Sequence, residues 1–182
     1  MSMNKYIISI DPSINFCGYA IHKNKSLVTY GLIRPSSKQE DFVAKSKDII
    51  NKIKTIISQF PFKGDYVYRI VIELPQYFGV AGFMARESGA IPKLMFLCGM
   101  IVGLKNNVVL LTPNDWKGQL PKDVVNNRLR KIYSKVDIAN LDHNIVDAIG
   151  IGHYYINTKV TRTKLIGYWY ENKIKTLLII FY

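Results

Sequence analysis

The stretch "YIISIDPSINFCGYAIH" at residues 6–22 limits the fold most. Residues 5–11 and 17–23 read as two strands joined by the turn "DPSIN". "SLVTYGLIR" (26–34) reads as a third, and the three together predict an antiparallel meander. After that the period changes. In "EDFVAKSKDIINKIKTIISQF" (40–60) apolar residues, with Ser46 among them, recur near the helical repeat, and lysines take the other face. "YVYRIVIEL" (66–74) returns to strand, and Pro75 stops it. Residues 79–90 are rich in small side chains and read as a loop.

"IPKLMFLCGMIVGLK" (91–105) reads as a helix that is apolar nearly all round, and "NVVLLT" (107–112) as a short strand. "PKDVVNNRLRKIYSK" (121–135) predicts a basic helix with Pro at its start, and "NIVDAIGIGHYYIN" (144–157) another. This order predicts an α/β fold with a mixed sheet, one domain spanning residues 1–182. The segment from about residue 159 is basic and aromatic and receives no assignment.

The first strand ends on a carboxylate, Asp11. Asp before Pro is an ordinary turn opener, so alone it decides nothing. However, Glu73 ends the fourth strand in "RIVIELPQYF", and Asp147 interrupts the last helix in "DHNIVDAIGIG". A buried carboxylate is costly unless paired or bound to a metal, and none of the three has a basic residue beside it in sequence. Taken singly, each has a plainer explanation: a turn cap, an exposed strand end, a partner to a basic residue of the tail. Taken together, they predict convergence on Mg²⁺ or Mn²⁺, hard cations that prefer oxygen ligands, with two ions per site.

The formal net charge is +12 with a pI near 9.6, which favours a polyanionic partner such as nucleic acid, though a lysine-rich proteome would leave the same trace. Cys17 and Cys98 lack metal-ligand spacing and predict buried free thiols in a reducing compartment. No signal-peptide pattern opens the chain, and "LMFLCGMIVGL" (94–104) is too short to span a bilayer. The expectation is a soluble protein of the cytoplasm or another reducing compartment.

The segments "IISIDPSINFCGYAI", "VIELPQYF" and "DHNIVDAIGIG" resemble the three acidic motifs of RuvC-type Holliday-junction resolvases, in the ribonuclease H-like superfamily. "LTPNDWKGQLPK" (111–122) is similar to the Trp-Lys-Gly plus Pro-Lys stretch of the phage-encoded branch. The resemblance runs from about residue 5 to 157. It implies a ribonuclease H-like fold, a mixed five-stranded sheet flanked by helices. It also implies metal binding by Asp11, Glu73 and Asp147. The family places Asp or His three residues before its last Asp; here Asn144 stands there, with His143 four before and Asp142 five before. Three and four residues back both share a helix face with Asp147, and His143 is the better ligand, so it is the preferred fourth. The other reading of His143 is a helix-start residue touching solvent or phosphate.

Lys117 and Lys122 bracket a turn, and the resemblance implies lysines near the active site that touch phosphate. Lys122 also opens a helix, where backbone amides favour phosphate. Arg128, Arg130 and Lys131 predict an exposed face for sequence-independent backbone contact. The family carries an aromatic shortly after its second acid that stacks on a base; Tyr77 and Phe78 are the candidates here. Phe83 and Arg86 could line or enter the junction. Gly99 and Gly103 permit close helix packing, either onto the sheet or in the homodimer that the resemblance implies.

The reading is therefore a Mg-dependent endodeoxyribonuclease acting on branched DNA, chiefly four-way junctions, in recombination and repair. The alternative is a nucleic-acid-binding protein of the same fold with weak or no catalysis. An actin-like phosphotransferase is disfavoured, because "DPSINFCGYA" lacks a Gly directly after Asp.

Overall fold

The computed structural model describes residues 5–36, 41–60, 67–75, 87–105 and 108–158. Strands β1 (Lys5–Asp11), β2 (Cys17–Lys23), β3 (Ser26–Ile33), β4 (Val67–Glu73) and β5 (Val108–Leu111) form one sheet in the order β3-β2-β1-β4-β5. The β1-β2-β3 part is the antiparallel meander the short turns require. Asn24, at φ 56°, makes the tight β2–β3 turn in a backbone region that Asn tolerates. β1, β4 and β5 run parallel. Their crossovers carry α1 (Phe42–Ser58) and α2 (Ala90–Val102). Beyond β5 come α3 (Pro113–Trp116), α4 (Lys122–Ile132), a 3₁₀ turn (Ile138–Asn140) and α5 (His143–Asn157).

α1 starts where Asp41 accepts the backbone N–H groups of Val43 and Ala44. Its Ile49, Ile50 and Ile53 are buried, and Ser46 sits in the same stripe with its hydroxyl donating to the Phe42 carbonyl. On this side of the sheet, Ile8, Ile10, Ile70 and Ile72 pack against α1 and against Leu97, Cys98 and Ile101 of α2. On the other side, Ile7, Ala20 and Val71 pack with Trp116, Val125, Leu129 and the inner face of α5. Cys17 and Cys98 are free and buried, and burial pushes both thiols up to about 12. No helix among the described residues is long and apolar enough to cross a membrane.

Three departures from the sequence reading matter for the site. The stretch between β5 and the turn at Lys117, which received no element from the sequence, contains α3, closed by a capping box between Thr112 and Asp115. The basic helix stops at Ile132, not 135, because Tyr133 leaves the helical region and turns its hydroxyl between His22 Nε2 (3.2 Å) and His153 Nδ1 (3.1 Å). Gly99 does not pack on the sheet: a Cβ built there meets nothing within 4 Å among the described residues.

Candidate active site

Strand alternation explains how two of the acids come together. Side chains two apart share a face, so Ile7 and Asp11 of β1, like Val71 and Glu73 of β4, point toward α5. β1 and β4 are parallel neighbours with Ile10 paired to Ile72, which places Asp11 and Glu73 side by side at the same sheet end. α5 lies across that end. Gly18, paired to Asp11, makes the approach possible: a Cβ there would stand 2.0 Å from the Asn144 carbonyl oxygen. Asp147, one turn into α5, is thereby carried to the two strand ends.

Burial raises the Asp11 carboxyl from 3.8 to about 8, helped by the negative charges of Glu73 and Asp147 and opposed by Lys117 and Lys122. Glu73 is also raised, first by burial and then by Asp147, against the pull of Lys117 and the indole hydrogen bond of Trp116. Three carboxylates from three elements thus share one field.

The absence of a basic partner was a sequence-level reading that the tertiary structure corrects. Lys117 Nζ lies 3.9 Å from Glu73 Oε2 and 3.9 Å from Asp147 Oδ2. It reaches them because it closes α3 at the end of β5, where Leu111 pairs with Glu73, before the chain turns at Gly118 (φ 59°). Lys122 opens α4 and is close enough to favour the ionised form of Asp11. Arg128, Arg130 and Lys131 are exposed on α4.

The fourth position divides between two residues. His143 is the first residue of α5 and its side chain is 63% exposed, with Asp142 Oδ1 3.7 Å from Nδ1. Asn144 is buried against β2 at Gly18. Asp142 caps the helix by accepting the Asn144 N–H. Tyr77, Phe78, Phe83 and Arg86 lie outside the described residues.

Sequence reasoning gave no role to Trp116, which is buried and donates its indole N–H to Glu73 Oε2. Its place in "NDWKG", next to Lys117, was the available signal.

The donor set fits a hard divalent cation: oxygen ligands, desolvated and mutually repelling, with an ammonium now between two of them. As placed, the side chains are a cluster and not a closed cage. Among the described residues no three His, Cys, Asp or Glu groups meet around one point.

No protein-family model and no curated protein matches the sequence. Solved structures do. Thermus thermophilus RuvC in complex with a Holliday junction substrate superposes with a TM-score of 0.58 at 19% identity, over 82% of this chain and 93% of that one. A second Thermus thermophilus RuvC structure gives 0.51 at 17% identity, over 82% and 92%. The mixed five-stranded sheet with helices on both faces is therefore a ribonuclease H-like fold, shared with RuvC.

Proposed function

We propose that the protein is a metal-dependent endonuclease that cleaves branched DNA, four-way junctions above all. One observation carries this reading: Asp11, Glu73 and Asp147, from three separate elements, meet at one sheet end beside Lys117 in a chain of net charge +12. The likeness to RuvC, which holds a junction substrate in one of the structures named above, supports the same substrate, and the "DWKG" stretch supports the phage-encoded branch.

Asp11, Glu73 and Asp147 would hold two Mg²⁺ or Mn²⁺ ions, which when bound supply an activated water and charge stabilisation for the leaving oxygen. Lys117 neutralises two of the carboxylates before substrate arrives and presents its ammonium where a phosphate would otherwise meet only negative charge. Lys122 adds charge at the start of α4, whose free backbone N–H groups favour a phosphate. Arg128, Arg130 and Lys131 extend that contact along the DNA backbone. Products carry 5′ phosphate and 3′ hydroxyl.

A junction needs two matched cuts, and a two-fold dimer supplies two sites. The outward face of α2 supports this: Met95, Phe96 and Val102 are 40–42% exposed, and Gly99 between them leaves room for a close backbone approach. Sedimentation should give about twice the chain mass, and a charged substitution, Phe96→Glu, should return it to one. With about six phosphate contacts, log K should fall with log salt at a slope near −5, about a thousandfold between 50 and 200 mM. A monomer that binds duplex and junction alike, with one slope, would leave only a general DNA-binding protein.

The decisive assay is cleavage of a labelled four-way junction with Mg²⁺ or Mn²⁺ against EDTA. The exposure of His143 favours a second reading, a binding protein of this fold with weak catalysis. Alanine at positions 142, 143 and 144 separates the cases. His143→Ala should raise the Mg²⁺ requirement most if its imidazole turns inward as fourth ligand. A larger loss in Asn144→Ala would assign the role to the buried amide.

A further inference from the structure

α3 has only four residues, yet both ends are fixed. Thr112 and Asp115 exchange capping hydrogen bonds at its start, and the Lys117 N–H returns to the Pro113 carbonyl at its end. The side chain so fixed is Trp116, and it touches two of the three elements that carry the acidic cluster, β4 and α5. Its Nε1–H donates to Glu73 Oε2 at 2.5 Å. Its six-membered ring lies on α5 at Gly150, where a Cβ would come within 2.5 Å of Cζ3. Gly150 is three residues past Asp147, on the same face of the helix.

A buried indole needs an acceptor, and any backbone carbonyl would serve. Here the acceptor is a carboxylate that the site itself requires, and the glycine on the other side is what admits the ring. The Lys117 ammonium, 4.7 Å from the indole ring, stands between the same two acids.

We infer that Trp116 is a positioning residue: its N–H fixes the rotation of the Glu73 carboxylate, and its ring, seated on Gly150, sets how far Glu73 stands from Asp147. The hydrogen bond occupies one oxygen and leaves the other to face a cation. This inference rests on the nuclease reading of the same site. Partners that orient a metal ligand typically contribute 10- to 100-fold to metal affinity, so a loss of about that size is expected when the N–H is removed.

The test uses the full chain in a Trp169→Phe background, leaving Trp116 as the one remaining tryptophan. Trp116 is then replaced by benzothienylalanine, which keeps the bicyclic shape and puts sulfur where the N–H was. Trp116→Phe serves as a second variant. Calorimetry with Mn²⁺ should show affinity weakened about 10- to 100-fold in both. Metal-free junction binding of the benzothienyl protein should stay at the parent value, its thermal midpoint should fall only by the loss of one buried hydrogen bond, and its cleavage should recover at high Mg²⁺. If the parent binds Mn²⁺ and the benzothienyl protein binds it equally well, Trp116 is a core side chain only and the inference fails alone. If the parent binds no Mn²⁺, the nuclease reading fails and takes the inference with it.

Discussion

Asp11→Asn, Glu73→Gln and Asp147→Asn should each lower junction cleavage at least about a hundred- to a thousandfold, the range lost when one stabilising group leaves an active site. Junction binding should persist. None of the substitutions adds negative charge to a site that must accept a phosphate, and the basic surface on α4 is untouched. Near-parent cleavage in any one variant would remove that residue from the site.

The same substitution at Asp11 should have an opposite effect on stability. In the metal-free protein Asp11 holds its proton up to about 8, whereas the unfolded chain releases it near 3.8. Between those values the native state binds more protons than the unfolded one, so stability falls as pH rises through that window. Asp11→Asn abolishes the penalty. Its thermal midpoint in EDTA at pH 8 to 9 should exceed that of the parent, and the gap should close toward pH 4. Added Mg²⁺ should stabilise the parent and not the variant. A variant less stable than the parent at pH 9 in EDTA would show that Asp11 is satisfied by a partner and not held under repulsion.

Gly18→Ala should be the most damaging single methyl in the described structure. The new Cβ would lie 2.0 Å from the Asn144 carbonyl oxygen and 2.3 Å from its carbon, and both are backbone atoms that no rotamer change can move. The N-terminal turn of α5 must lift from β2, at a cost of about 1–3 kcal/mol or more, as for overpacked cores generally. Because Asp147 rides on that turn and Asp11 pairs with Gly18, the lift also pulls the acids apart. Urea unfolding should show the lower midpoint. Cleavage measured where the variant is still folded should nevertheless fall well below parent. Full activity in a folded Gly18→Ala protein would mean that α5 does not need this close contact to complete the site.

Local sequence pattern determined the strands and the first two acids. Residues 5–11 and 17–23 are read with their observed bounds, because alternation is a property of neighbours and the turn residues between them leave no other connection. Asp11 and Glu73 were legible as candidate site residues for the same reason: each breaks an apolar strand at its end. The helix ends at 132 and 143 and the short α3 were less legible, since what stops or starts them is a contact from elsewhere, such as Tyr133 turning to His22 and His153.

Only the tertiary structure decided how the acids are partnered. Lys117 is 44 positions from Glu73 and 30 from Asp147 in the chain, and nothing local announces that it lies between them. Trp116 is as distant, and its choice of Glu73 as acceptor depends on α3 folding back along β5. The contrast of exposed His143 with buried Asn144 has the same origin. Helical spacing puts both within reach of Asp147, but the rotation of α5 about its own axis is set by where its backbone touches Gly18, and a contact between residues 126 positions apart leaves no mark on the period of either segment.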